Sequence, residues 1–401
     1  MTARSPPVDG SVAPGFEPVE AAFRENVTER GELGAACAVQ HRGEAVVDLW
    51  GGYRDRDRTE PWTADTLVLV FSTTKGVAAA AVAHARSTGL FDYDDRVAAH
   101  WPSFGRAGKA SVTVRQLLGH QAGLAAVDGT LTPADVADRE ALVDRLAAKR
   151  PDWEPGARHG YHAWSLGWYE SELLRRTDPE GRTLGAYVAD ELFDPLGADF
   201  FVGLPSSVDA DRVAEIEPFG ALDLLRSLGS FPPGLLLALA NPYSTTSRAM
   251  NPFDVSTPAA LNEPEWRALE VPAGNGVGTV RALARLYGDL ATGGARLGVD
   301  ADTLGALAAP GVPPRDGTRD VVLKTDTSYS LGYWKPFDGF DFGTPAAFGA
   351  PGAGGSFAFA DPGRELGFAY APNRMGTHVW DDPRETALRD AVRDCVDRAR
   401  A

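Results

Sequence analysis

The stretch that decides the fold is LVLVFSTTKGVAAAAVAHA, residues 67–85, where an apolar run leads into Ser72 and Lys75 before a string of alanines. The apolar spacing from Thr73 to about Ser87 predicts a helix. Residues three apart share one face of a helix, so the Lys75 amine can reach the Ser72 hydroxyl without help from tertiary structure. The two side chains form a candidate pair of nucleophile and base.

This pair has a definite chemical use. A serine hydroxyl is a poor nucleophile at neutral pH, and a lysine activates it only when desolvation or nearby charge lowers the lysine pKa. The apolar flanks supply such surroundings, and the first turn of the helix offers free N–H groups for an oxyanion. The plain alternative is that Ser72 caps a helix and Lys75 lies on the surface. S-x-x-K by itself is a weak signal and needs other motifs beside it.

Composition limits the function classes. With 401 residues, 44% of them hydrophobic, the chain can bury a large core in one domain or two interleaved ones. Its net charge of −16 opposes binding to nucleic acid or to an anionic membrane. The sequence contains neither a signal-peptide h-region nor an apolar stretch of membrane length, so a cytoplasmic protein is expected.

The two cysteines, Cys37 and Cys395, are too few for a disulfide framework. Each falls in an apolar pattern that indicates a buried thiol. A bridge between them is left open at this point.

Strand patterns occur at both ends of the chain. GAACAVQHRGEAVVDLWGG (34–52) predicts a β-hairpin that opens the fold, and a final helix is predicted over 384–400. Further strands are predicted in YSLGYWKPF (329–337), GGSFAFADP (354–362) and LGFAYAP (366–372).

Helical patterns fill the middle of the chain. Residues 91–205 follow as helix after loop, with one helix over 112–124, and another is predicted within 272–294. The segment 206–265 is irregular but too apolar for a linker, so it is expected to cover part of a cleft. The prediction is therefore an α/β (α+β) fold: an antiparallel sheet lobe from 1–85 and 270–401, and a mainly helical insert over 86–269.

Two more motifs accompany Ser72 and Lys75. Tyr161 follows a glycine and begins an aromatic run in GYHAWSLGWY, where its phenol could relay protons beside Lys75. The alternative is a tyrosine that only packs. GAPGAGGSFAFADP (349–362) brings glycines into a strand, where the main chain can approach a ligand and supply a second oxyanion N–H. Its alternative is a β-bulge.

Together these motifs resemble those of the serine β-lactamase and penicillin-binding-protein superfamily. STTK at 72–75, LLGHQAGL at 117–124, GYHA at 160–163 and the glycine-rich strand occur in that superfamily's order. The chain is similar to the class C branch and most similar to the family VIII carboxylesterases, over roughly residues 15–400. The resemblance implies that Ser72 is acylated, Lys75 activates it and Tyr161 relays protons.

The chain departs from the β-lactamase pattern at two places. Ala163 stands where class C enzymes carry an asparagine that grips the substrate amide, and Ala350-Pro351-Gly352 stands where they carry Lys-Thr-Gly. Lys324-Thr325-Asp326 imitates that triplet but precedes a different strand. Without both grips, neutral esters are favoured over β-lactams or peptidoglycan stems, and whether Lys75 or Tyr161 is the base stays open.

Other chemistries are less well supported. No G-x-S-x-G is present, and Ser356 in GGSFA is interpreted as a strand residue. His159 and His162 have a spacing that could chelate a metal, but no acidic ligand cluster accompanies them, so no metal is predicted. His120 is interpreted as a buried, hydrogen-bonded histidine, and GNGVG (274–278) as the entry to a helix.

The sequence therefore predicts a two-lobed serine carboxylesterase with no metal or cofactor, acting on a small-molecule ester as a monomer or homodimer. The N–H groups of Ser72 and Ala353 form the predicted oxyanion hole. The alternatives are a transacylase using the same acyl-enzyme, a weak β-lactamase or D-amino-acid amidase, and a non-catalytic binding relative. The predicted substrate contacts, of which the last four are cleft liners that would favour short or aromatic acyl groups, are Ala163, Ala350, Gly352, Gly354, Phe219, Leu224, Phe231 and Leu236.

Overall fold

The computed structural model describes residues 7–254 and 258–400, and within them an eight-stranded antiparallel sheet carries strands from both chain ends. The order across this sheet is β1-β3-β2-β11-β10-β9-β8-β7. Its strands are β1 Val8–Val12, β2 Gly34–His41, β3 Glu44–Gly52, β7 Tyr329–Ser330, β8 Tyr333–Trp334, β9 Phe348–Pro351, β10 Phe357–Asp361 and β11 Leu366–Pro372. A smaller sheet has the order β4-β6-β5 and contains β4 Val68–Leu69, β5 Phe200–Val202 and β6 Gly276–Gly278.

Helices occupy most of the chain between the two groups of strands. In chain order they are α1 Glu17–Thr28, α2 Thr74–Ser87, α3 Val97–His100, α4 Val114–Leu118, α5 Pro133–Ala137, α6 Arg139–Ala148, α7 Ser165–Thr177, α8 Leu184–Val188, α9 Asp194–Leu196, α10 Ala221–Arg226, α11 Leu235–Ala240, α12 Thr245–Met250, α13 Pro264–Ala268, α14 Val280–Ala291, α15 Ala301–Ala308 and α16 Pro383–Arg400. The predicted mixed fold, with an antiparallel sheet and many helices, is confirmed.

The two faces of the sheet carry side chains of different size. Alternate strand residues point to opposite faces, so Ala358, Ala369 and Ala371 join the core with α2 and α14, while Phe357 and Tyr370 join the core with α16. Small side chains on the first face allow helices to lie close to the sheet. This close packing holds α2 against β9, and the turn directly before α2 carries the serine.

The predicted hairpin of β2 and β3 is confirmed, and β11 pairs with β2 so that the chain ends share one sheet. Two elements that the sequence analysis did not predict, β1 and α1, precede it, so the hairpin does not open the fold. The helix predicted over 112–124 was too long. A Thr113–Gln116 capping box begins α4, and His120, with φ 58°, lies outside the helical region just beyond it.

GNGVG was wrongly interpreted as the entry to a helix. Its last three residues form β6, and α14 begins only at Val280. Gly276 of β6 leaves no room for a side chain, since a Cβ there would lie 2.6 Å from the Phe200 ring and 2.7 Å from Thr74 Oγ1. That contact comes from distant parts of the chain, which local spacing does not report.

The segment 206–265 contains short helices rather than purely irregular chain, and several of its apolar side chains are exposed: Leu222, Leu225, Leu228, Leu237 and Tyr243. Residues 1–6, 255–257 and 401, which fall within the predicted domain bounds, lie outside the described residues; those bounds stay a prediction.

The cysteine pattern was interpreted correctly as buried thiols. Cys37 and Cys395 are both free and both buried, so the bridge left open above is not present. Among the described residues, no helix is both long and apolar enough to cross a membrane.

Candidate active site

Ser72 lies in a single 3-10 turn that runs directly into α2. Phe71, just before it, has a φ of 46°, in the left-handed region where bulky residues are rare and backbone strain collects at functional sites. Thr74 Oγ1 donates to the Phe71 carbonyl at 2.5 Å and accepts from the Gly276 N–H at 2.9 Å. The small sheet therefore holds the strained turn in place from the side.

Lys75 is fixed by three contacts at its amine. Nζ lies 2.6 Å from the Ala163 carbonyl, 2.7 Å from the Ala273 carbonyl and 2.9 Å from Ser72 Oγ. Carbonyl oxygens only accept, so two N–H bonds point to them. When the amine is neutral, its lone pair is left to face the Ser72 hydroxyl.

Burial makes that neutral form accessible. Lys75 is only 2% exposed, and desolvation lowers its pKa from 10.5 to about 7, with the negative charge of Glu170 opposing the shift. A substantial fraction of Lys75 is therefore unprotonated at neutral pH, as a general base requires.

Tyr161 packs beside the amine of Lys75. Its ring centroid is 4.9 Å from Lys75 Nζ, and its main-chain N–H donates to Asp320 Oδ2 at 2.9 Å. The same oxygen accepts from the Tyr329 hydroxyl at 2.7 Å. Burial raises the pKa of Tyr161, with a hydrogen bond to Ser72 opposing it, so the phenol keeps its proton at neutral pH and can donate it.

The nearby histidines are structural and neutral. The ring of His162 accepts from the Leu124 N–H at Nε2 and donates from Nδ1 to the Gly160 carbonyl. The main-chain N–H of His162 donates to His120 Nδ1 at 3.0 Å. Burial lowers the pKa of His162 to about 4 and that of His120 well below 6.5. The prediction of a buried, hydrogen-bonded His120 is confirmed.

His159 contacts the Thr318 carbonyl at 2.6 Å through Nε2. Within residues 7–254 and 258–400, no three His, Cys, Asp or Glu side chains are grouped as metal ligands.

The glycine-rich strand lies beside the turn that carries Ser72. A Cβ on Gly352 would lie 2.5 Å from the Val70 carbonyl and 2.8 Å from Thr73 Oγ1. Ser356 Oγ donates to the Val70 carbonyl at 2.8 Å and accepts from Thr73 Oγ1 at 3.2 Å. Ser356, which precedes β10 rather than lying in it, therefore joins the strand turn to the serine turn, a role that sequence reasoning missed.

The triplet predicted in place of Lys-Thr-Gly, Ala350-Pro351-Gly352, contains no cationic side chain. Ala350 is buried, and a Cβ on Gly76 of α2 would lie 3.2 Å from Ala350 Cβ. Lys324, in the imitation triplet, lies in a loop before β7 and donates to the Val321 carbonyl at 2.8 Å. Its interpretation as coincidental is consistent with this position.

A buried ionic network supports the turn that carries Ala353. Ala353 is exposed, while the next carbonyl, of Gly354, accepts from Arg384 Nη2 at 3.0 Å. Arg384 also pairs with Glu32 at 3.0 Å and with Asp382 at 2.9 Å. No local sequence pattern indicates this network, because its members come from opposite ends of the chain.

The other predicted substrate contacts include residues of the 206–265 segment and Ala163. Glu217 pairs with the chain after β11 through Asn373 and Met375, which places the start of the 206–265 segment near Gly354. Phe219 and Phe231 are half-buried in that segment, whereas the Ala163 side chain is buried and its carbonyl holds Lys75. Their contacts with substrate stay predictions.

Comparison with known proteins shows the family of this chain. The Beta-lactamase family model matches residues 19–393, and the chain belongs to that family. It is 35% identical over 373 residues, 92% of this chain and 83% of the relative, to the Esterase/beta-lactamase LipL of Mycobacterium tuberculosis (strain ATCC 25618 / H37Rv).

Two solved structures are similarly close. A family VIII carboxylesterase is 37% identical with a TM-score of 0.84, covering 97% of this chain and 100% of that one. A penicillin-binding protein homolog from Caulobacter crescentus is 36% identical with a TM-score of 0.83, with the same coverage. The predicted resemblance to the superfamily and to family VIII carboxylesterases is confirmed.

Proposed function

We propose that the chain is a serine carboxylesterase that forms an acyl-enzyme on Ser72. The observation that carries the proposal is the arrangement of Lys75. Its amine contacts two carbonyl oxygens, which leaves the lone pair of the neutral amine facing Ser72, and Nζ lies 2.9 Å from Ser72 Oγ. The names of the relatives, an esterase/beta-lactamase and a family VIII carboxylesterase, support the same reaction class.

Acylation begins when Ser72 Oγ attacks the ester carbonyl carbon and its proton passes to Lys75 Nζ. The N–H groups of Ser72 and Ala353 hold the oxyanion that forms. Tyr161 gives its phenolic proton to the departing alkoxide and regains one from Lys75. The raised pKa of Tyr161 and the lowered pKa of Lys75 support this division of roles, with the lysine as base and the phenol as acid.

Deacylation reverses these roles around water. Lys75 takes a proton from the attacking water, which adds to the acyl carbon, and Ser72 Oγ leaves and is reprotonated through Tyr161. The products are the free alcohol, a carboxylic acid and the regenerated enzyme.

The preferred substrate is a small neutral ester. Ala163 has no amide to grip a β-lactam side chain, and Ala350 offers no charge for a substrate carboxylate. The half-buried Phe219 and Phe231 favour short or aromatic acyl groups. A monomeric or homodimeric state and a cytoplasmic location stay predictions.

Weak β-lactam hydrolysis is the second candidate. The name of the Mycobacterium tuberculosis relative joins esterase to beta-lactamase. The same Ser72 could open a β-lactam ring, but the missing substrate grips predict slow turnover.

The test is intact-protein mass spectrometry combined with turnover of a p-nitrophenyl acyl ester and, separately, of nitrocefin. Wild type, Ser72→Ala and Ser87→Ala are compared; Ser87 is the last residue of α2, the helix that follows the Ser72 turn, and its hydroxyl donates to the Ala83 carbonyl. An acyl adduct and ester turnover in wild type and Ser87→Ala, both absent in Ser72→Ala, are the expected results.

Other outcomes separate the alternatives. Nitrocefin turnover comparable to ester turnover would favour the β-lactamase, and faster adduct loss with added alcohol, giving a new ester, would favour the transacylase. Absence of adduct and turnover in wild type across several acyl chain lengths would overturn the esterase.

A further inference from the structure

Glu170 is a buried acid that the proposed reaction leaves unused. It lies on α7, which packs against α2, and it is 0% exposed. Within the part of the chain that the structure describes, neither of its carboxyl oxygens has a hydrogen-bond partner. A buried polar group without a partner is costly, so its presence calls for a physical reason.

The carboxyl group of Glu170 lies close to the helix that carries the lysine. A Cβ built on Gly332 would lie 2.6 Å from Ala79 Cβ and 3.3 Å from Glu170 Oε1. Ala79 is one turn beyond Lys75 and on the same face of α2. The amine itself contacts Ser72 and the two carbonyls, so any influence of Glu170 on it acts through space.

The other groups around this pair are neutral near pH 7. Facing Lys75 are the protonated phenol of Tyr161 and the rings of His120 and His162, whose pKa values are lowered by burial. Tyr333 of β8 faces Glu170; its hydroxyl donates to the Gly76 carbonyl, and burial raises its pKa well above 10. Glu170 differs from these groups, because burial raises its pKa to about 8, within reach of neutral pH.

We propose that Glu170 is a positioning residue for Lys75, which sets electrostatically how readily the amine keeps its proton. The inference rests on the proposed function, in which neutral Lys75 is the base. Two arrangements hold the same number of protons: neutral Lys75 with protonated Glu170, and ammonium with carboxylate. The first is active and the second is not, so Glu170 lowers the fraction of active base near neutral pH, where both groups change their protonation state.

The test compares the pH dependence of kcat/KM for a neutral ester in wild type, Glu170→Gln and Glu170→Met. Without the carboxylate, the lysine loses its proton more easily, so the acidic limb should move to lower pH by about one unit. Glu172→Gln is the matched control, since Glu172 is also buried on α7 but pairs with Arg175 and Arg176. This variant should be less stable than wild type, but its kcat/KM should rise at the same pH as that of wild type.

The outcomes are distinct. Glu170 makes no hydrogen bond to any residue that the structure describes, so an apolar replacement should fold, and Glu170→Met provides the test if Glu170→Gln does not fold. A limb that stays at the wild-type pH in a folded Glu170 variant overturns the proposal, as does an equal shift in Glu172→Gln. Failure of wild type to acylate at Ser72 would instead overturn the proposed function.

Discussion

At the scale of single residues, two backbone carbonyls hold the amine of Lys75, which is the base in the proposed reaction. Ala163 and Ala273 accept the amine hydrogens and orient the lone pair toward Ser72. Burial supplies the second requirement, a lowered pKa. Ala163 thus acts through its main chain, a role that its side chain does not reveal.

The first prediction concerns the pH dependence of the reaction. Because burial lowers the pKa of Lys75 to about 7 and only the unprotonated amine is a base, kcat/KM should rise through pH 7 and then level off. The raised pKa of Tyr161 predicts no fall in mildly alkaline solution. Initial rates from pH 5 to about pH 9, corrected with Ser72→Ala, measure the profile. A rise that begins only above about pH 9 would mean that Lys75 keeps an ordinary pKa.

The second prediction is that Tyr161→Phe lowers kcat by about 10²–10⁴-fold, because it removes a proton donor. The fold should survive, since the ring still packs 5.2 Å from His120 and 5.7 Å from Trp334, measured between centroids. Stopped-flow rates and circular dichroism measure the two effects. Nearly unchanged kcat in the folded variant would assign the tyrosine to packing alone.

At the scale of elements, the site depends on contacts between the start of α2, β6 and the turn from β9 to β10. The Ser356 hydroxyl links that turn to the main chain just before Ser72. Arg384 of α16 donates a hydrogen bond to the Gly354 carbonyl in the same turn. Neither contact involves neighbours in sequence, so the geometry of the proposed oxyanion hole depends on several elements together.

The third prediction is that Ser356→Ala is less stable by about 1–3 kcal/mol, because it leaves the buried Val70 carbonyl and Thr73 hydroxyl without this partner. We also expect a lower kcat with little change in KM, since the turn carrying Ala353 loosens relative to Ser72. Urea unfolding and steady-state kinetics measure these effects. Ser87→Ala serves as the reference for loss of a hydroxyl remote from the turn. An equal fall in kcat in both variants would contradict the linking role.

At the scale of the whole molecule, the sheet divides the core into two sides of unlike character. Alanines on one face admit α2 and α14, while phenylalanines and a tyrosine on the other pack with α16. Cys37 and Cys395 both lie on the aromatic side, from opposite ends of the chain.

The fourth prediction uses these thiols as reporters of unfolding. Both are buried, and desolvation raises the pKa of each, so neither should react with Ellman's reagent in the native protein. Two thiols per chain should react after unfolding in urea. Because no bridge exists, dithiothreitol should leave Tm unchanged. Rapid reaction of the native protein would show that the aromatic side of the core opens locally.

Much of this protein follows from local sequence. The S-x-x-K spacing fixes Ser72 and Lys75 on one helical turn, and alternation or helical periodicity predicts the β2–β3 hairpin, α2 and α16. These are short-range effects, because hydrogen bonds and apolar faces within one element depend on neighbours along the chain. The order of motifs was enough to indicate the family.

Tertiary structure decided what depends on distant contacts. It made GNGVG a strand by pairing it with β4 and β5, and it placed Ser356 and Arg384 at the site. It also brought Ala163, Ala273 and Glu170 around one buried amine. Desolvation and through-space charge depend on which atoms are near, not on which residues are adjacent, so the sequence determined the reacting groups and only the fold determined their protonation states.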